Sequence, residues 1–163
     1  MKRLLSALVP AAGLLLLIPS AQAADWIAVS NSVEVNAPAD VVWHRIGGYC
    51  AISEWMKVSC RYVSGHGKPG TVRALMGGST TEVMVAKTRH SYTYWQNKGN
   101  MAPAMFHGTL FAEPEGASKT ILSYTLVYNQ DGLPAARRDF EHKRLQGRFR
   151  ELLGVMKKLS EAK

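Results

Sequence analysis

The segment 33–49, Val-Glu-Val-Asn-Ala-Pro-Ala-Asp-Val-Val-Trp-His-Arg-Ile-Gly-Gly-Tyr, most narrows what this chain can become. Val33 and Val35 share one face of an extended run, because side chains alternate along a strand. Pro38 then pre-sets φ for the first turn of a helix, where a missing amide hydrogen costs nothing. Val41, Val42 and Ile46 give that helix an apolar side.

Residues 50–56 suit a second short helix. Segments 58–64, 71–76, 81–88, 91–96, 104–112 and 119–128 read as short strands, several of them separated by turn residues. Such spacing leaves no room for parallel crossovers and predicts an antiparallel meander. Gly65-His66-Gly67-Lys68-Pro69-Gly70 matches G-x-G-x-x-G in form. It leads into a strand, whereas a dinucleotide site needs a helix N-terminus there, so it reads as a turn. Gly77-Gly78 reads as a two-residue hairpin turn, which sets Arg73 directly opposite Glu82. Glu113-Pro114-Glu115-Gly116 is the clearest of the remaining turns.

A long helix is predicted after Asp131, with Asp131 as its cap and Pro134 near its first turn. Ala136, Phe140, Leu145, Phe149, Leu152, Leu153, Met156 and Leu159 form an apolar stripe. Arg137, Arg138, Lys143, Arg144, Arg148, Arg150, Lys157 and Lys158 occupy the other face, partly offset by Asp139, Glu141 and Glu151. Short helices in front, strands in the middle and one long helix behind make an α+β pattern.

That order of elements resembles the START/Bet v 1-like (SRPBCC) superfamily of the polyketide cyclase/dehydrase and lipid-transport type. The residues that carry the resemblance are Pro38-Ala39-Asp40-Val41-Val42-Trp43, Glu54-Trp55, the Gly-rich turn before Val72-Arg73, Glu82 and the strand around Tyr94. It extends over residues 32–159, and the Met- and Asn-containing loop 97–105 departs from it. The resemblance implies a helix-grip fold, a curved antiparallel sheet of about six to seven strands around the C-terminal helix. It also implies a cavity between sheet and helix for a hydrophobic or amphipathic molecule, lipid-, sterol- or polyketide-like.

Residues 1–23 read as a cleaved signal peptide, followed by a single domain over 24–163. Lys2 and Arg3 precede an uncharged apolar run from Leu4 to Ile18, and Ala21-Gln22-Ala23 offers a cleavage site. The run is shorter than the ~20 residues of a spanning helix. The expected product is soluble and periplasmic or secreted. In such a compartment Cys50 and Cys60 are able to form a disulfide, and two buried free thiols are the other reading. The chain carries 20 Lys and Arg against 12 Asp and Glu, and stays basic after Lys2 and Arg3 are removed. Export and the lack of a stacking platform argue against nucleic acid. Weak contact with an anionic membrane surface, an acidic protein partner, or plain solvation of the basic helix face all stay open.

A sheet-lined pocket needs apolar walls and a few fixed polar groups. Arg73 and Glu82 are the first candidates, as a pair orienting the polar end of a ligand. The other reading is an ion pair on the solvated face, worth only ~0–1 kcal/mol. Leu75 and Met84 flank the pair on one side and Val83 and Val85 on the other, so the sequence leaves its face open. Trp55, Tyr94, Phe106 and Tyr124 are expected as aromatic walls or as ordinary core, and His107 as a further ligand contact. Glu82 and His107 are the weak candidates for acid–base catalysis. His44, His66, His90 and His142 are dispersed, and neither a metal site nor a cofactor is expected. The leading expectation is thus an exported small-molecule binding protein that is not an enzyme. The alternatives are a cofactor-independent cyclase, dehydratase or isomerase, or an accessory protein of a larger periplasmic enzyme.

Overall fold

A computed structural model describes residues 23–162. The proposed signal peptide lies, except for its last residue, outside the described residues. Seven strands follow one another: β1 (Trp26–Val35), β2 (Cys60–Ser64), β3 (Val72–Leu75), β4 (Thr80–Lys87), β5 (Ser91–Lys98), β6 (His107–Glu115) and β7 (Lys119–Asn129). Helices α1 (Ala39–Ile46) and α2 (Ile52–Trp55) separate β1 from β2, and α3 (Arg138–Glu161) ends the chain. The sheet order is β1-β7-β6-β5-β4-β3-β2, antiparallel throughout. This is the curved sheet and long helix expected of a helix-grip fold.

Alternation decides which face goes inward. In β7, Thr120, Leu122, Tyr124, Leu126 and Tyr128 are buried while the residues between them are half-buried. Gly108, Leu110 and Ala112 do the same in β6. Register shifts between Thr81 and Glu82, and between Met84 and Ala86, interrupt the β4–β5 ladder. Extra residues of this kind bend and twist a strand, which suits a sheet that curves around a helix. The segment around Gly65, Gly67 and Gly70 is a turn between β2 and β3, all three glycines having positive φ.

Helix α3 lies across the concave face with Leu145, Phe149, Leu152, Leu153 and Met156 buried. Burying each such side chain fully contributes roughly 1.5–3 kcal/mol. The predicted stripe is rotated at its start. Phe140 is 61% exposed, whereas Glu141 is buried because its carboxylate receives Arg137 and Arg144. Asp131 does not cap the helix either: the chain makes a separate 3-10 turn at Ala135–Arg137, and α3 has no side-chain cap. Asp131 instead accepts from the Asp25 amide at 3.1 Å. Strand β6 runs through Pro114 to Glu115, so the expected turn there begins only at Gly116.

Cys50 and Cys60 are joined by a disulfide, with Cα atoms 5.5 Å apart. The bridge ties the approach to α2 onto the first residue of the edge strand β2. Asp40, in the first turn of α1, accepts from Arg89 at 2.8 Å and lies 2.6 Å from His90 Nε2. It anchors α1 to the β4–β5 turn.

Candidate functional site

The β3–β4 ladder pairs Val72 with Val83, Arg73 with Glu82, Ala74 with Thr81 and Leu75 with Thr80. The register is the expected one, but the loop is longer than two residues. Met76–Gly78 forms a 3-10 turn in which Met76, Gly77 and Gly78 all have positive φ. Arg73 and Glu82 face inward, at 0% and 4% exposure, so the solvated-face reading does not apply.

Arg73 Nε donates to Glu82 Oε2 at 2.7 Å, and Nη2 lies 2.6 Å from the same oxygen. Nη1 donates to the Tyr49 carbonyl. The guanidinium carbon sits 4.1 Å from the Tyr49 ring centre, 5.1 Å from that of Tyr94 and 5.6 Å from that of Tyr92. Electron-rich ring faces thus solvate a charge that water does not reach. Burial works against the charge on Arg73, yet Glu82 and the surrounding tyrosines hold its pKa well above the ordinary value. Burial pushes the Glu82 carboxyl up, and Arg73 pulls it back down.

Beside this pair is a cavity of about 280 Å³. Leu75, Thr80, Glu82, Tyr94, Gln96 and Tyr124 form its sheet wall, joined by Phe106 from the residue just before β6. Leu145, Phe149 and the half-exposed Arg144 close it from α3. Ile52, Met56 and Val58 contribute from the α2 region, and Asn100 and Met101 from the loop after β5. Tyr124 donates to the Tyr94 hydroxyl at 3.2 Å. Burial raises both phenol pKa values well above the ordinary one, so both remain neutral donors. Gln96 fixes the loop by accepting the Met101 amide at 3.0 Å through its side-chain oxygen.

Four expected contacts, Glu82, Tyr94, Phe106 and Tyr124, meet at this cavity. Three do not line it. Arg73 lies behind Glu82 and acts through it. Trp55 is buried edge-on to Tyr124, ring centres 6.3 Å apart, and belongs to the packed core. His107 starts the outward series of β6, opposite the 37% exposed Trp95, and its Nδ1 lies 2.7 Å from the Met105 carbonyl oxygen. The single-residue step between Phe106 and His107 puts them on opposite faces of the sheet. Gln96 was missed, although it is two residues from Tyr94 on the same strand face. Met101 and Arg144 carried no comparable signal.

Gly108 has a role that the sequence did not suggest. A Cβ there would lie 2.4 Å from the Tyr94 hydroxyl and 2.5 Å from its ring, so the absent side chain is the space that Tyr94 occupies.

The family described as polyketide cyclase/dehydrase and lipid transport matches residues 27–161. The chain belongs to this family. Solved structures of similar fold agree with the membership. Zhui, an aromatase/cyclase from a Streptomyces species, is 20% identical over 83% of this chain and 94% of its own, with a TM-score of 0.62. Truncated norcoclaurine synthase from Thalictrum flavum is 15% identical over 87% and 98%, with a TM-score of 0.63. Ara h 8.0201 is 14% identical over 83% and 97%, with a TM-score of 0.64. At these identities the likeness is one of fold. No curated protein matches the sequence. Within a polyketide cyclase/dehydrase and lipid-transport fold, a ligand-binding or cyclase-type role is supported.

Proposed function

We propose that this chain is an exported binding protein that holds a hydrophobic or amphipathic small molecule between its sheet and α3. The observation that carries this reading is the cavity itself. Its walls are mainly apolar and aromatic, and one buried carboxylate, Glu82, is held in place by Arg73. Apolar burial drives uptake at ~25 cal/mol per Å², and the fixed polar groups orient what enters. The volume, near the lower end of the usual ~300–1,000 Å³ for ligand pockets, suits a small ring system better than a sterol or a full acyl chain.

Periplasmic or secreted placement rests on the charged start, apolar run and small-residue site of residues 1–23. A disulfide between Cys50 and Cys60 is in keeping with it. Native mass spectrometry of protein recovered from its own compartment, followed by denaturing extraction, tests both points. A mature chain beginning near Ala24 and carrying one organic molecule that is lost on denaturation is the expected result. Full-length, empty protein overturns the reading.

A further inference from the structure

The cavity is electrically polarised along its depth. Glu82 lines it, and Arg73, the positive partner, does not. The buried ion pair therefore turns its negative end towards the ligand. Oε2 takes the arginine, and Oε1 has no hydrogen-bond partner among the described residues. A carboxylate oxygen accepts only, so the ligand group it meets must donate. The Tyr94 hydroxyl accepts from Tyr124 and keeps its own hydrogen to donate. Together these groups suit a hydroxyl, which accepts from Tyr94 while it donates to Glu82; an ammonium answers Glu82 alone, and a second carboxylate is disfavoured.

The opposite end has the opposite sign. Arg144 lines the cavity from α3, and its side chain is 38% exposed against 5% for Glu82, so it stands at the mouth. Glu141 accepts from Arg137 and, at 2.7 Å, from Arg144. Two guanidiniums share one carboxylate, so this group of three keeps a net positive charge, and Arg144 is its member that lines the cavity.

Resting on the ligand-binding reading above, we infer that the natural ligand is a small bipolar ring compound. It carries a hydroxyl or protonated amine at the buried end and an acidic group at the mouth. A cavity of about 280 Å³ holds the equivalent of roughly nine liquid waters, the scale of one or two rings.

Calorimetric titration with naphthalene, 2-naphthol, 2-naphthoate and 6-hydroxy-2-naphthoate separates the two ends on one skeleton. The hydroxy acid is expected to bind at least tenfold more tightly than either singly substituted compound. Arg144→Gln should remove the gain from the carboxylate and spare that from the hydroxyl. Glu82→Leu, which removes the acceptor that a glutamine would keep, should do the reverse. Since Glu82→Leu leaves Arg73 buried without its counter-charge, the neutral pair Arg73→Met/Glu82→Leu serves as the second variant. Equal affinity for all four compounds overturns the inference and leaves the binding reading standing. So does a hydroxyl gain that survives in both Glu82 variants, or a carboxylate gain that survives Arg144→Gln. Binding of none of the four overturns the inference too, and the native mass spectrometry above then decides the binding reading separately.

Discussion

Arg73 and Glu82 stand directly opposite each other across the β3–β4 ladder, joined at 2.7 Å and enclosed by the rings of Tyr49, Tyr92 and Tyr94. Removing one partner of such a buried pair strands the other charge away from water. Arg73→Met alone should destabilise the fold by about 3–5 kcal/mol, and Arg73→Met/Glu82→Leu should recover most of the loss. Denaturant unfolding of both single variants and the double closes the cycle. A double variant no more stable than Arg73→Met would refute this account.

Gly108→Ala places a methyl group against the Tyr94 hydroxyl and ring. The ring must shift, at a cost of about 1–3 kcal/mol for overpacking. The same shift should weaken any ligand that meets Tyr94 in the cavity. Unchanged thermal stability together with unchanged ligand affinity would show that the close approach carries no constraint.

The disulfide closes a loop between residues 10 apart in sequence. In the chain-entropy view this contributes roughly 2–3 kcal/mol. Cys50→Ser/Cys60→Ser should lower the unfolding midpoint accordingly, and a reducing agent should have no further effect on that variant. Equal midpoints for oxidised and reduced wild type would count against a stabilising role.

Acid should weaken the clasp at the end of α3. Glu161 accepts the Asn36 amide at 2.7 Å, and this bond, helped by Lys157, holds its carboxyl below the ordinary 4.5. A depressed carboxyl contributes stability that is complete above the unfolded pKa and is lost as pH falls through the folded one. Glu82, raised by burial, works in the opposite sense, its contribution fading as pH rises through its folded value. Unfolding measured between about pH 3 and 6 should therefore show a smaller acid loss in Glu161→Gln than in wild type. Parallel curves would contradict the assignment.

Much of this architecture was legible because its signals are local. Pro38 starts α1, glycines punctuate the turns, and the turn at Gly77-Gly78, though longer than two residues, is centred where it sets Arg73 opposite Glu82. The face of that pair was not legible, because Leu75 and Met84 on one side are no more apolar than Val83 and Val85 on the other. Only the packing of α3 against the sheet decides it. His107 misled for a related reason: it adjoins Phe106, which does line the cavity, and one residue reverses direction. The start of α3 misled because Glu141 is buried by its two arginines, a cause that apolar periodicity does not register.

The pairing of β1 with β7 sets Trp26 beside Asn129 and Val35 beside Thr120. The first strand of the described chain therefore has no ladder partner until the last one exists. Closing a loop of that length costs conformational entropy before any contact compensates, and topologies rich in such distant pairs fold slowly. A chain emerging N-terminus first must keep its opening strand unpaired while the middle of the sheet assembles. Of all the ladders in the sheet, β1–β7 closes the longest loop, and until it forms the open edges of both strands are exposed to wrong partners.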